Sequence, residues 1–228
     1  MQSLRSRPWI VTAFGLVVCS SAFAQQAPAR GAAEAATRPA LLFKEEWKQP
    51  PYTGTLNDEN RRATQDAVTN ARLELKLYGA DSKNLGVYNH EGRFDLWTGL
   101  ATSPVAVTLR DKRNYMDLTG LARLRWMVRT TAIHTLYPVA KLADGTYIAG
   151  NHGITTDGEF FQVEIAFSGM RWFKLDPMKV VITSEVVNPD FSKVDEVGLV
   201  TLAPGGGHGV AGSANLSTVE LFAKAVPR

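Results

Sequence analysis

The chain contains aromatic side chains together with charged and amide side chains that could form a ligand-binding site. A sugar ring offers an apolar C–H face, which packs on an aromatic side chain, and hydroxyl groups, which hydrogen-bond to charged or amide groups. Stacking candidates are Trp97, Trp172, Tyr137 and Tyr147, and candidates for polar contacts are Arg125, Arg129, Lys141, Asn151 and His152. A structural alternative stands beside each, because exposed arginines are often only solvated and a tryptophan next to a turn can belong to the core.

The histidines are weighed separately, because their spacing does not match the short ligand spacing of a zinc site. His208 lies among five glycines between Gly205 and Gly212, where no neighbouring side chain screens it. His152 follows Gly150 and Asn151, and His134 follows a predicted strand. We therefore count His134, His152 and His208 as candidate ligand-binding residues, with an ordinary polar position in a turn as the alternative for each.

No motif in the sequence assigns a catalytic residue. Hydrolysis of a glycoside needs two carboxyl groups about 5 to 10 Å apart, whereas the neighbours Asp195 and Glu196 should point to opposite faces of a strand. Glu164 can pair only with an acid from another strand. Elimination from a uronate needs a Tyr or His base and a cation that neutralises the carboxylate; side chains of these types are Tyr137, His134, Arg129 and Lys141. The Gly-x-Ser-x-Gly motif of serine hydrolases is absent.

The elements that must position these residues are strands, since the apolar pattern is mostly of period two. In Arg123–Thr131 the alternation places Leu124, Trp126 and Val128 on one face, which predicts a core position for Trp126. Strands are predicted at Leu41–Trp47, Leu73–Leu77, Val105–Leu109, Arg123–Thr131, Leu136–Leu142, Thr146–Ala149, Phe161–Phe167, Lys179–Thr183, Glu196–Leu202 and Thr218–Lys224. Short strands separated by turn signals, with little helix, predict an all-β, antiparallel β-sandwich or jelly roll.

Two turn-and-strand segments carry a family resemblance. Tyr115–Gly120 leads into the strand at Arg123, and Asp190–Gly198 leads into a second strand, with Val219–Phe222 as a closing strand. This order resembles the galactose-binding-like jelly rolls that serve as carbohydrate-binding modules, over roughly residues 95 to 224. The resemblance implies a jelly-roll fold and a polysaccharide or oligosaccharide partner, and it assigns no catalytic residue.

A structural calcium ion is a further expectation, because jelly rolls of the resembled group often carry one. Asp117 and Asp190 are the acids that precede the two turns, and carboxylates suit a hard cation. The alternative is that each carboxylate only accepts hydrogen bonds from backbone amides of its own turn. No dense acidic loop marks a calcium site in the sequence.

The N-terminal residues predict export and set the domain boundaries. Met1–Ala24 has two arginines, an apolar run and an Ala-Phe-Ala exit, which is typical of a signal peptide. Gln25–Ala40 is rich in alanine and proline and predicts a flexible linker, and residues 41–228 form the predicted β-sandwich domain. We therefore expect a periplasmic or secreted protein that has lost Cys19, forms no disulfide and keeps no integral membrane segment.

Charge gives little indication of a nucleic-acid partner. Removal of Arg5 and Arg7 with the signal peptide lowers the formal net charge from +3 to +1. The basic run Arg110–Arg113 is short and contains Asp111, so the sequence lacks the basic stripe of a nucleic-acid-binding protein.

Three functions remain open from the sequence. The first is an exported carbohydrate-binding protein that acts at the cell envelope or outside the cell. The second is a polysaccharide-active enzyme, a glycoside hydrolase or lyase, on the same fold, which requires a cleft where an acid meets a His, Tyr or Arg. The third is an envelope protein-interaction module, which requires an exposed apolar patch.

Overall fold

A computed structural model describes residues 38–208 and 212–228. The predicted signal peptide and almost all of the predicted linker lie outside these residues. The described part of the chain consists of fifteen strands and two short 3-10 turns, Gln65–Ala67 and Ser82–Asn84, with no α-helix. The predicted all-β, antiparallel sandwich of jelly-roll type with little helix is confirmed.

The strands are numbered in chain order. Their bounds are β1 Leu41–Glu45, β2 Leu73–Tyr78, β3 Gly86–His90, β4 Arg93–Trp97, β5 Val105–Asp111, β6 Asn114–Asp117, β7 Arg123–Thr130, β8 Leu136–Leu142, β9 Tyr147–Gly150, β10 Phe161–Ala166, β11 Trp172–Asp176, β12 Val181–Val186, β13 Val194–Thr201, β14 Ala214–Phe222 and β15 Lys224–Pro227.

These strands form two sheets in which every neighbouring pair is antiparallel. A six-stranded sheet has the order β10-β7-β14-β4-β3, with β1 also paired to β14. A nine-stranded sheet has the order β12-β11-β9-β8-β13-β5-β2; β6 pairs with β13, and β15 pairs with β6. The main core lies between the inner faces of the two sheets.

The central strand β7 shows how the sequence sets this core. Leu124, Trp126 and Val128 are each 0% exposed, as the alternation predicts, so the intervening residues of β7 point away from the core. The Trp126 indole Nε1–H donates to the backbone oxygen of Ser217 at 2.9 Å, and Trp47 Nε1–H donates to the same oxygen at 3.0 Å. Two buried indoles thus satisfy one carbonyl of β14, and the predicted core position of Trp126 is confirmed.

The hairpin of β3 and β4 was not predicted by the apolar pattern. His90 pairs with Arg93 across a two-residue turn in which Glu91 and Gly92 have φ values of 53° and 85°. Positive φ at both central residues is the geometry of the tight turns that fit the twist of a hairpin. This hairpin forms one end of the six-stranded sheet, with β3 at its edge.

The edge of β3 is covered by the segment that precedes it. Arg62 forms an antiparallel bridge with Gly86, and the Val87 amide donates to the Arg61 carbonyl at 2.7 Å. The Ala63 amide donates to the Leu85 carbonyl at 2.7 Å. Residues 57–64, which we call the edge segment, therefore satisfy backbone groups that an edge strand otherwise leaves unpaired.

Candidate functional site

A cavity of about 470 Å³ lies on the outer face of the six-stranded sheet. Its lining residues are Tyr88, His90, Trp97, Arg129, Thr131, Gly207, His208, Gly212, Ser213 and Asn215. In the strand register Trp97 lies opposite Asn215, and Asn215 lies opposite Arg129. Directly opposed residues of antiparallel strands share a face, so one row of side chains crosses β4, β14 and β7.

Trp97 belongs to an aromatic cluster at one side of the cavity. Its ring centroid lies 4.9 Å from that of Tyr88 in an edge-to-face arrangement and 5.0 Å from that of His208. A Cβ added at Gly99 would lie 1.9 Å from a Trp97 ring atom, so the ring occupies the space next to a residue that has no side chain. Glycine at position 99 is therefore required for this orientation of Trp97.

The glycine-rich loop that carries His208 is held against the connection between β4 and β5. The Gly205 amide donates to the Ala101 carbonyl at 2.6 Å, and the Gly207 amide donates to the Gly99 carbonyl at 2.7 Å. A Cβ at Gly205 would lie 2.3 Å from the Gly99 carbonyl oxygen, so this close approach needs glycine. The loop backbone thereby places the His208 ring beside Trp97.

Asp58 of the edge segment connects Tyr88 and His208. The Tyr88 hydroxyl donates to Asp58 Oδ1 at 2.6 Å, and His208 Nε2 lies 2.8 Å from Asp58 Oδ2. The hydrogen bond from Tyr88, followed by that from His208, holds the pKa of the Asp58 carboxyl below its usual value. Burial, reinforced by the Asp58 carboxylate, raises the pKa of Tyr88. Tyr88 is therefore a neutral hydroxyl donor, and Asp58 is ionised at neutral pH.

His90 is oriented by a buried carboxyl group. His90 Nδ1 lies 2.6 Å from Asp95 Oδ2, and Asp95 Oδ1 accepts a hydrogen bond from the Asn215 side chain at 2.7 Å. Asp95 is 0% exposed, and burial raises its pKa although the bonds from Asn215 and His90 oppose the shift. The His90 side chain is 39% exposed and lines the cavity, so its second ring nitrogen remains available to a ligand. An imidazole held by a carboxyl group is the usual arrangement of a general acid or base.

Three of the residues predicted from the sequence meet in this cavity: Trp97, Arg129 and His208. Tyr88, His90, Asn215 and the supporting Asp58 and Asp95 were not predicted. The glycine-containing turn Glu91-Gly92, followed by the alternating Phe94 and Leu96, was the signal that could have identified the hairpin of β3 and β4.

Two other predicted residues lie on the outer face of the nine-stranded sheet. Lys141 Nζ lies 3.1 Å from Glu196 Oε1 and 3.2 Å from Asp195 Oδ2, and Tyr137 packs against a small apolar cluster on that face. The register shift of β13 between Val194 and Glu196 lets both neighbouring carboxylates reach one lysine. The expectation that Asp195 and Glu196 point to opposite faces is therefore wrong, because a β-bulge changes the alternation.

Trp172 and His134 lie in the interior. Trp172 is 2% exposed, packs between Phe167 and Phe191, and donates its Nε1–H to the Phe167 carbonyl at 3.3 Å. The sequence left open whether Trp172 lies in the core or in a binding site, and the structure places it in the core. His134 is 0% exposed, with its Nδ1 3.2 Å from Thr201 Oγ1. Neither residue presents a surface to a sugar in this structure.

Arg125 and His152 also lie apart from the cavity. Arg125 faces outward from β7 and forms ion pairs with Glu164 and Glu220, both at 3.2 Å. Glu164 thus pairs with a cation and not with a second acid. His152 is exposed in the loop after β9.

The environment of His134 predicts a pH effect on stability. Burial lowers the pKa of His134 below its ordinary 6.5, so the unfolded chain binds a proton at this site more tightly than the folded chain. Stability should therefore fall as the pH drops below about 6.5. We expect the His134→Asn variant, whose amide can still bond Thr201, to lose less stability than the unsubstituted protein between about pH 7 and pH 5. Urea unfolding at both pH values measures this difference, and equal losses would contradict it.

The two acids considered for calcium are both used by their own turns. Asp117 Oδ1 accepts hydrogen bonds from the Thr119 amide at 2.9 Å and the Thr119 hydroxyl at 2.6 Å. Asp190 Oδ1 accepts one from the Ser192 amide at 2.9 Å. Among residues 38–208 and 212–228, no group of three or more His, Cys, Asp or Glu side chains is arranged to hold a metal ion. In the same part of the chain, neither helical turn has the length and apolar character of a membrane-crossing helix.

Comparison with known proteins yields structural similarity only. No protein-family model matches the chain, and no curated protein matches it. The chain is similar to a family 11 carbohydrate-binding module from Clostridium thermocellum in complex with a β-1,3-1,4-mixed-linked tetrasaccharide, at 11% identity and a TM-score of 0.38, over 68% of this chain and 86% of that one. It is similar to the CBM22-1 xylan-binding domain of Paenibacillus barcinonensis Xyn10C at 11% identity and a TM-score of 0.40, over 83% and 97% of the two chains.

A third similar structure is PfGH50B, at 8% identity and a TM-score of 0.41, over 67% of this chain. The chain covers only 22% of PfGH50B, less than two thirds of that protein. The antiparallel sandwich is established by the chain's own two sheets, and carbohydrate-binding modules are among the structures it is similar to, as the sequence resemblance implies.

Proposed function

We propose that the protein is an exported carbohydrate-binding protein and that it holds an oligosaccharide in the cavity of the six-stranded sheet. The observation that carries this proposal is the row in which Trp97, Asn215 and Arg129 follow one another across three strands. The aromatic ring and the cation at the two ends of this row match the apolar face and the polar groups of a sugar. Asn215 between them is 2% exposed and donates to Asp95, so it supports the row from beneath.

The size and rigidity of the cavity support the same proposal. Its volume of about 470 Å³ falls within the roughly 300 to 1,000 Å³ usual for small-ligand sites. Its side chains come from strands or are fixed by hydrogen bonds, as for Tyr88 and His208 on Asp58. A site that is ordered before binding loses less conformational entropy when the ligand enters.

Export to the periplasm or the medium is part of the proposal and rests on the sequence of Met1–Ala24. The proposed partner is a polysaccharide or oligosaccharide, and no nucleic acid is proposed. A structural calcium ion near Asp117 or Asp190 remains a proposal that rests on the family resemblance, since both carboxylates already accept hydrogen bonds within their turns.

A retention and product assay tests the function. The chain without its first 24 residues is passed over a panel of immobilised neutral and acidic polysaccharides, and the eluate is analysed for reducing ends and unsaturated products. Retention without products supports the carbohydrate-binding function. Neither retention nor products would contradict it and would favour an envelope protein-interaction module.

A polysaccharide lyase is the second candidate, and the contact of His90 with buried Asp95 favours it. In such a reaction His90 would remove the proton next to a uronate carboxylate, the electron pair would form a carbon–carbon double bond, and the adjacent glycosidic C–O bond would break. Arg129 would neutralise the carboxylate, and the protonated His90 would return the proton to the leaving oxygen. Unsaturated products that disappear in His90→Asn while retention persists would support this candidate.

A further inference from the structure

The charge of one arginine in the cavity indicates which class of sugar the site binds. Three arginines, Arg123, Arg125 and Arg129, stand at alternate outward positions of β7, with Met127 between the last two. Arg123 Nε lies 3.2 Å from Glu164, and Arg125 lies 3.2 Å from both Glu164 and Glu220. The charges of Arg123 and Arg125 are therefore compensated within the sheet.

Arg129 differs from the other two. In the part of the chain that the structure describes, its guanidinium lies within 4.0 Å of no carboxylate, whereas Arg123 and Arg125 both form ion pairs. All three arginines have a buried Nε without a hydrogen-bond partner, so the ion pairs alone distinguish Arg129. The Arg129 Cζ lies 6.0 Å from the ring centroid of Phe160. The residues between His208 and Gly212, which fall outside the described part, are Gly209, Val210 and Ala211 and contain no acid.

The carboxyl groups near the cavity already have partners. Asp95 is bonded by His90 and Asn215, and Asp58 is bonded by Tyr88 and His208. Neither acid lies within 4.0 Å of the Arg129 guanidinium, although the Arg129 charge is near enough to Asp95 to oppose the rise in the pKa of that carboxyl. Among the described residues, the cavity therefore presents a guanidinium without a direct ion pair, together with two imidazoles.

The Arg129 side chain is half-buried. A guanidinium that is partly removed from water and lacks a direct ion pair is unfavourable, and an oxyanion held by its N–H groups relieves this cost. Its planar arrangement of donors matches the two oxygens of a carboxylate. Trp97 and Arg129 are two strands apart, about 10 Å at the usual strand spacing. That distance allows one sugar ring to pack on Trp97 while an anionic group on the same or the next residue reaches Arg129.

From these contacts we infer that the sugar is anionic and that its oxyanion, the carboxylate of a uronate or a sulfate ester, binds Arg129. This inference rests on the proposed carbohydrate-binding function and adds the chemical class of the ligand. Asn215, between Trp97 and Arg129 in the register, is 2% exposed and donates to Asp95, so it positions the base of the site.

The experiment compares each uronate polymer with its own carboxyl-reduced form. Binding of polygalacturonate, alginate, their reduced forms, a sulfated galactan and neutral β-glucan is measured by titration calorimetry at constant ionic strength. Three proteins are compared: the unsubstituted chain, Arg129→Gln, and the matched control Arg125→Gln, which removes an arginine from the same face of the same strand.

We expect at least one acidic polymer to bind about tenfold or more tightly than its uncharged counterpart. Arg129→Gln should remove this preference, whereas Arg125→Gln should keep it within about twofold, because the Arg125 charge is already paired. A preference that depends on Arg129 for the sulfated galactan alone assigns the oxyanion to sulfate. Melting temperatures of all three proteins verify that each is folded.

The possible results distinguish failure of the anionic-ligand inference from failure of the proposed carbohydrate-binding function. Binding of neutral polymers as tightly as acidic ones, or an acidic preference that survives in Arg129→Gln, overturns the anionic ligand while the carbohydrate-binding function stands. Binding of no polymer in the panel by the unsubstituted protein overturns both.

Discussion

Trp97→Ala is expected to weaken binding of the cognate glycan by about 30-fold, the effect of removing an aromatic residue that contributes about 2 kcal/mol at the centre of an interface. Trp97 is half-buried and is the tryptophan that lines the cavity. Its ring rests between Tyr88 and His208, so alanine would remove the flat apolar surface on which a sugar can stack. Titration calorimetry with the best polymer from the retention assay measures the loss.

Trp172→Ala is the matched control for this experiment. It removes the same kind of side chain from a position that is 2% exposed and surrounded by Phe167 and Phe191. We expect Trp172→Ala to lower the melting temperature strongly and to leave the affinity of the folded fraction unchanged. If Trp172→Ala weakened binding more than Trp97→Ala did, the placement of the site would be wrong.

Trp126→Ala is expected to reduce the free energy of unfolding by about 3 to 5 kcal/mol, the usual loss when a buried tryptophan is truncated. The side chain is 0% exposed, and the variant would leave a cavity between the sheets that its neighbours can fill only in part. The Ser217 carbonyl would keep the bond from Trp47 at 3.0 Å, so most of the loss should come from packing. Urea unfolding measures it.

Trp126→Phe separates the two contributions in that experiment. Phenylalanine keeps much of the buried volume and removes the 2.9 Å bond to Ser217, so its cost should be clearly smaller than that of alanine. Equal losses in the two variants would show that the hydrogen bond, and not the packing, dominates. A loss below about 1 kcal/mol for alanine would contradict the core position.

The strands could be predicted from the sequence where apolar and polar residues alternate without interruption. The strand Leu136–Leu142 has the predicted bounds, and β7 has the predicted inward face. Alternation fails where the register shifts: β14 was predicted to begin at Thr218, but it begins at Ala214, with a shift between Leu216 and Val219. Asn215 was missed for that reason.

The residues of the site could be predicted only in part, because some of them lie on a strand with few apolar residues. Trp97 and Arg129 were identified by residue type, and His208 by residue type together with the glycines around it. Tyr88 and His90 lie on β3, where Val87 is the single aliphatic residue, so a search for apolar periodicity passes over this strand. The difference in ion pairs between Arg129 and Arg125 is a property of strand register. Glu164 and Glu220 lie opposite Arg125, whereas Asn215 lies opposite Arg129.

The edge segment, residues 57–64, both covers the edge of β3 and holds two side chains of the proposed binding site. Its backbone covers β3 through Arg61 and Ala63, and its Asp58 side chain holds Tyr88 and His208. If the segment lifts away, the chain loses ordered ligand contacts and at the same time exposes a strand edge that can pair with another copy. A ligand that contacts Tyr88 or His208 therefore stabilises the covered edge by mass action, and saturation with glycan should slow aggregation of the protein in prolonged storage.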